Sequence, residues 1–514
     1  MRAERRREIE RQMMEERNAK KAKKGNGFFV FLALIYILTG AAFLYFVFTL
    51  NVLPAKYLYG GLAALAIITL FTLPCMFSTH GKHGRKIFSA IITLALIAVF
   101  GAGTYYMATT GSFLKDITAK KIATDDFHVI VRSADMPGDE EWDEMSDKEK
   151  EEYAITKISG TTIGTYNSTD KTYADAKAML QQKVNVEYDY ASSAKKCVKR
   201  VISGKYDAIL LPVADYEVLK SNEEMSVEND TEVLYTVKVP KETVDRTKAV
   251  DVVNEPFNIL ISGTDKEGYR SDVNMVATVN PVKHEILLTS LPRDLYVTLP
   301  SFDAKDKLTH SRVYGLEETQ AAVETELGID INYYVSVNYK ALRRIVDAIG
   351  GIDVESPNDF YTSGMGSLNG QHFVVGMNHM DGRAALAYCR ERHSFLTGDM
   401  TRNENQQAVL EAILQKATSS STILSSYTKI LDAVSSNMIT TMSSDDMAAL
   451  VKMQLDGMPK WTIRKNAIKG ETGTDFCYAL GQNASVVFPQ DGEITKAVDE
   501  IAKTRIMDEN TSEN

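Results

Sequence analysis

The sequence predicts an α/β protein carried behind three membrane-spanning helices. Three uncharged apolar stretches stand near the N-terminus. Strand-like and helix-like patterns then alternate between Thr161 and Leu219, and the alternation resumes at Phe257 around longer apolar runs. The expected organisation is a basic tail (1–27), the spans (28–107), a small βαβ-type module (108–250), a second α/β domain with a central mixed sheet flanked by helices (251–507), and a disordered polar tail (508–514).

The spans come first. Phe28–Leu50, Tyr57–Phe77 and Ile87–Met107 hold 23, 21 and 21 residues without a charge, and a bilayer core needs roughly 20 apolar residues per helix. A cleavable signal peptide would have a shorter apolar core and a small-residue cleavage site. Loop charge sets the orientation. The tail before Phe28 carries ten Lys/Arg against five Glu, and the turn Ser78–Lys86 carries Lys82, Arg85 and Lys86. Both are expected in the cytoplasm, which puts everything from Ala108 onward outside the cell. There nucleoside triphosphates are scarce, and kinase-like readings fall away. The tail reads as a positive-inside signal rather than a nucleic-acid arm. With a net charge of −10 and a basic tail, the remainder is acidic and offers no nucleic-acid surface.

Asp139–Glu152 is acidic and reads as a surface loop. Thr162–Tyr166 is a strand, Lys171–Lys183 a helix, and Val184, Val186, Tyr188 and Tyr190 alternate as in a strand. Ala194, Cys197, Val198, Val201 and Ile202 fall at helical spacing, with Ser192 or Ser193 as cap and Gly204 as stop. Asp207–Val213 closes a βαβαβ pattern that implies a small parallel sheet. Glu232–Pro240 reads as a connecting strand. The four cysteines, Cys75, Cys197, Cys389 and Cys477, lack metal or disulfide spacing and read as small buried hydrophobes.

From Phe257 the expected strands are Asn258–Ser262, Val273–Asn280, Glu285–Leu291 and Asn332–Val337, with a hairpin turn at Asn280-Pro281. Helices are expected at Glu317–Leu327 and Tyr339–Ile349, ended by Gly328 and by Gly350-Gly351. Charges gather where folding alone gives no reason for them. Asp265, Arg270 and Asp272 share one inter-strand loop, and Arg293-Asp294 follow the third strand; binding groups collect on such loops. A solvated turn with surface ion pairs accounts for any one of them equally well. Arg390 and Arg392 follow the apolar run Ala384–Cys389. In extended chain a spacing of two sets both guanidiniums on one face, where a phosphate would relieve their repulsion. A plain surface pair fits as well. In a helix over Thr401–Lys416, Arg402, Gln406, Val409 and Ile413 share one stripe. That puts a cation in the first turn, against the helix dipole. A bound anion would offset this, and Asp399 is the alternative partner.

Taken together, these stretches resemble the LytR–CpsA–Psr family in its capsule-associated branch. The motifs run in order: Asn-Ile-Leu-Ile-Ser-Gly-Thr-Asp265, Arg270-Ser-Asp272, Pro-Arg293-Asp294, Lys307-Leu-Thr-His, Gly350-Gly351-Ile-Asp353-Val, Tyr388-Cys-Arg390-Glu-Arg392, and Gly398-Asp399 leading to Arg402 and Asn405-Gln406-Gln407. The resemblance implies a membrane-anchored phosphotransferase that moves a polyprenyl-pyrophosphate-linked glycopolymer onto peptidoglycan, with an apolar tunnel for the lipid between sheet and helices. Its implied partners are that glycan lipid, peptidoglycan and membrane lipid. Asp265 and Asp272 would hold Mg²⁺. Arg270, Arg293, Arg390, Arg392, Arg402 and Lys307 would line the pyrophosphate, with Gln406 a hydrogen-bond donor. Arg293 also belongs to the implied catalytic set, and Asp294 or Asp399 is the candidate base. Two positions depart from the pattern: Glu267 stands where an Arg is common and Glu404 where a basic residue is common. A pyrophosphate hydrolase with the same site, and a non-catalytic regulator of envelope polymer synthesis, are the competing readings. The second would need a cytoplasmic output domain, for which the tail is too small.

Overall fold

The structure is a computed structural model that describes all but residues 1, 52, 78–82, 119–123, 139–141, 143–144, 169, 221–226, 242–244, 265–268, 365, 396–397, 419–428, 431–432, 434–437 and 508–514. It divides into two compact units. One comprises Met1–Ile117, Thr418–Ser435 and Ser443–Lys460; the other comprises Thr118–Ala417, Ser436–Met442 and Trp461–Asn514.

In the first unit α1 (Arg2–Leu50), α2 (Ala55–Phe77) and α3 (His83–Thr118) contain apolar stretches at Gly27–Leu50, Ala55–Phe77 and Gly84–Ser112. Each is long and apolar enough to cross a membrane. Phe43 stacks on Phe100, with ring centroids 5.5 Å apart. The helix Ser444–Gly457 belongs to the same unit. Its Lys452 donates to Asn51 Oδ1 (3.0 Å), and Asp456 pairs with Lys56 (3.2 Å), so it meets the turn between α1 and α2. Cys75 is exposed on α2, against the expectation of burial, whereas the other three cysteines are buried.

In the second unit the first sheet comprises β1 (Thr124–Arg132), β2 (Thr162–Tyr166), β3 (Glu187–Ala191), β4 (Ala208–Pro212) and β5 (Thr231–Pro240), in the order β3-β2-β4-β1-β5. The strands joined by helices, β2 with β3 and β4, pair in parallel as expected. The sheet as a whole is mixed, because β1 pairs antiparallel with both β4 and β5. Part of the acidic segment expected as loop is helix: α4 (Asp147–Ile158) starts at a capping box in which Ser146 and Glu149 bond reciprocally. α5 (Lys171–Lys183) and α6 (Ala194–Ile202) begin at the N-caps Asp170 and Ser193, and α7 (Val213–Lys220) follows β4. Val184, expected in a strand, is the C-cap of α5. Cys197, Val198 and Val201 face the core.

The second sheet is built from β6 (Phe257–Thr264), β7 (Ser271–Asn280), β8 (Glu285–Leu291), β9 (Tyr333–Asn338), β10 (Met438–Thr440) and β11 (Thr462–Ala467). Its order is β10-β9-β6-β7-β8-β11. β6, β7 and β8 form an antiparallel meander, β9 and β11 join in parallel and β10 antiparallel, so this sheet is mixed as expected. Side chains alternate across a strand, and here the alternation separates two environments. Leu260, Val276 and Leu287 pack with Ala322, Val323 and Leu327 of α8 (Leu316–Leu327) and with Ala497 and Ile501 near the C-terminus. Each such leucine contributes about 1.5–3 kcal/mol by leaving water. The neighbouring Ile261, Val273 and Met275 point to the other face, toward α9 (Tyr339–Ala348), α10 (Gly382–Arg390) and α11 (Gly398–Ala417), and a cavity lies there.

A candidate anion and lipid site

The cavity has a volume of about 360 Å³ and two kinds of wall. Apolar side chains come from the sheet (Ile261, Val273, Met275, Val337) and from the helices (Leu342, Leu386, Val409, Leu410, Ile413). Beside Asn338, Tyr339 and His393, seven charged or polar groups line it: Arg270, Asp272, Arg293, Arg390, Arg392, Arg402 and Gln406. All seven were singled out in the sequence, from four separate stretches, and the fold collects them around one space. Gly263 lets β6 and β7 close here, since a Cβ on it would lie 2.8 Å from Val273 Cβ.

Asp272 stands at the start of β7. Its Oδ1 accepts from Arg293 Nη1 (2.8 Å) and its Oδ2 from the Tyr339 hydroxyl (2.9 Å). Tyr339 lies in the first turn of α9, and its ring also carries the Arg390 guanidinium, 4.7 Å from the centroid. The sequence marked Tyr339 only as a helix start. Its double role follows from tertiary contact, which no local pattern announces.

Arg390 and Arg392 line the cavity as a pair, for a different reason from the one expected. Ala384–Cys389 is helical, part of α10, and Arg390 is its last residue. The chain turns extended only at Glu391 (φ −65°, ψ 129°). Glu391 is fully buried and accepts from the backbone N–H groups of Ser363 (2.6 Å) and Ser394 (3.0 Å). Driving this carboxylate inward turns its two neighbours outward, and both arginines are exposed.

The next helix starts earlier than expected. α11 begins at Gly398, so Arg402 is its fifth residue, and the argument from a first-turn dipole does not apply. The predicted stripe is present nonetheless: Arg402, Gln406 and Val409 are buried and line the cavity. Asn405 donates to the Tyr388 carbonyl and Gln406 to the Cys389 carbonyl, both 3.3 Å. Those are carbonyls of the last turn of α10, which lack partners within their own helix. Gln407 donates to Leu288 O (3.2 Å) and Asn466 O (2.6 Å), tying α11 to the sheet. Cys389 also faces the cavity, and burial pushes its thiol up to about 12, so it stays protonated at neutral pH.

Asp294 and Lys307 lie beside the cavity without lining it. Asp294 is 3.5 Å from Arg293 Nε and 3.4 Å from Lys307 Nζ. Burial raises its carboxyl, but Arg293, Lys307 and His310 outweigh burial and hold it below the usual range. A carboxylate so stabilised is a weak proton acceptor. Lys307 in turn leads into a fixed corner, where Asp306 accepts from His310 Nδ1 and from Ala479 N, each 2.7 Å away. Asp265 and Glu267 lie outside the described residues, and for Asp399 only the backbone is described. Among the described residues no group of three or more His, Cys, Asp or Glu is placed to hold a metal. Asp272 uses one bond on each oxygen, which leaves further lone pairs for a cation.

A model of the LytR_cpsA_psr family matches residues 218–503. The chain is 37% identical over 278 residues to a polyisoprenyl-teichoic acid–peptidoglycan teichoic acid transferase TagU of Enterococcus faecalis, covering 52% of this chain and 84% of that protein. It is 37% identical over 203 residues to a TagU of Bacillus mycoides, covering 39% of this chain and 64% of that one, slightly under two thirds of its length. A crystal structure of B. subtilis TagV is similar at 28% identity and a TM-score of 0.42, over 49% of this chain and 97% of that one. The family match extends from the end of α7 through both sheet-end loops, the arginine pair and α11. This chain belongs to the LytR–CpsA–Psr family.

Proposed function

We propose that this chain is a membrane-anchored, extracytoplasmic phosphotransferase that moves a glycopolymer from a polyprenyl pyrophosphate to peptidoglycan. The polymer is capsular or teichoic-acid-like, and the Enterococcus relative is named for the transfer of teichoic acid. The observation that carries the reading is the composition of the cavity, with five arginines and an apolar wall around one space. A polyprenyl pyrophosphate has both matching parts, a diphosphate for the planar guanidinium forks and a chain of methyl-branched carbons for the aliphatic wall.

In the reaction a sugar hydroxyl of peptidoglycan attacks the phosphorus next to the glycan. The bond to the bridging oxygen breaks, and polyprenyl phosphate leaves. Such transfer depends on positioning and on spreading negative charge. Arg390 and Arg392 bind and orient the diphosphate. Arg293, held by Asp272 and Asp294, presents a fixed charge. Arg402 and Gln406 meet it from the helix side. Asp272, with Asp265, would hold Mg²⁺, which prefers carboxylate and phosphate oxygens and would neutralise further charge. Asp399 is the remaining candidate for the base that takes the hydroxyl proton.

Arg392→Ala tests the reading. Its side chain is exposed, so the melting temperature should stay within a degree or two of wild type, as surface charges contribute only ~0–1 kcal/mol. Transfer from the lipid should fall by about 100-fold or more, as for removal of a charge-stabilising group. Unfolding of the variant, with the remaining folded protein fully active, would make the arginine structural.

A further inference from the structure

Arg270 leaves the loop ahead of β7 with its Nε 3.5 Å from Oε2 of Glu217. Glu217 belongs to α7, in the module built on the first sheet, and only 1% of its side chain is exposed. Its other oxygen is 3.3 Å from Lys220 Nζ, one helical turn on. The residue beside Arg270 is gripped from the same module. Tyr269 donates its hydroxyl to Asp126 Oδ2 on β1 (2.9 Å), and its ring meets the edge of His128, 5.3 Å away. His128 in turn abuts Tyr216 of α7.

A carboxylate buried this deeply is costly unless cations neutralise it, and Glu217 has two. Packing alone would join the module to the core more cheaply. What the ion pair adds is position: by charge it holds the Arg270 guanidinium at the cavity wall, and a guanidinium grips a phosphate only where it is placed to meet it. We infer that Glu217 is a positioning residue for Arg270, and that the first-sheet module thereby takes part in binding the lipid diphosphate. Asp126 and His128 precede the stretch matched by the family model, and Glu217 stands at its edge. The inference rests on the reading of the cavity as a polyprenyl pyrophosphate site.

The test is a binding cycle on the full chain in detergent micelles, titrated with geranylgeranyl pyrophosphate and, as control, geranylgeraniol. Wild type, Glu217→Gln, Arg270→Ala and the double variant are compared. With Glu217 neutral, Lys220 and Arg270 repel across the gap and the charge that holds Arg270 in place is gone. Glu217→Gln should therefore weaken pyrophosphate binding about tenfold, within the range of coupled neighbours, and leave the alcohol unaffected. In the Arg270→Ala background the same substitution should add nothing. Equal affinity of Glu217→Gln and wild type, beside a weakened Arg270→Ala, would overturn the inference alone. So would a Glu217→Gln loss that persists in full without Arg270, since that marks a merely structural role. If Glu217→Gln does not fold, Tyr269→Phe replaces it in the same cycle, with a loss of about threefold expected and the same criterion. Wild type binding the pyrophosphate no better than the alcohol would remove the cavity reading and the inference together.

Discussion

Asp294 lies between Arg293 and Lys307, and its carboxyl is held below the usual range although burial opposes this. A depressed carboxylate stabilises the fold above its unfolded pKa, and that stability is lost as pH falls through the folded value. Asp294→Asn should thus cost about 2 kcal/mol at neutral pH, because partly buried Lys307 loses its acidic partner and Arg293 loses one of its two. Below about pH 4 the deficit should shrink, as wild type also loses the ion pairs. Denaturant unfolding at pH 7 and pH 3 measures this, and an equal deficit at both would contradict it. The arginines of the site were legible one at a time because a cation beside an apolar run needs a reason. Their partners were not. Asp272 binding Arg293, Tyr339 under Arg390 and Glu217 against Arg270 join residues 21, 51 and 53 positions apart, and spacing carries no information at that range.

Among the elements, β6, β7, β8 and β9 of the second sheet and the helix carrying Arg402 were readable, the strands as apolar runs bounded by turn residues and the helix from its period, whereas β10, only three residues long, and β11 were not. Ala384–Cys389 was not: a short apolar run fits helix or strand, and Asp381, which caps α10 by accepting from Ala384 N (2.8 Å), decides it. β1 was missed because its core, Phe127–Val131, is buried throughout and lacks alternation. The packing of α9 on α10 depends on Gly382. A Cβ there would lie 2.2 Å from the Arg343 carbonyl oxygen, and its N–H already donates to Asp347 (2.7 Å). Gly382→Ala must push the two helices apart, at about 1–3 kcal/mol. These helices carry Leu342, Leu386 and Arg390 into the cavity, so lipid affinity should fall along with the melting temperature. Unchanged values of both would show that the helices give way without consequence.

At the scale of the whole molecule, three apolar helices and two basic segments argue for an N-terminus inside and a domain outside. A reporter active only in the cytoplasm, fused after Asn514, should be silent; activity there would reverse the topology. Transfer itself is tested most directly by following both products at once. Purified full-length protein is given a polyprenyl-pyrophosphate-linked glycan, peptidoglycan and Mg²⁺, and the lipid and wall fractions are analysed. The expected result is glycan bound to peptidoglycan through a phosphodiester, with one polyprenyl monophosphate released per chain transferred. Lipid consumed with the glycan left free in solution would mean hydrolysis, and lipid left intact by folded protein would contradict the transferase account.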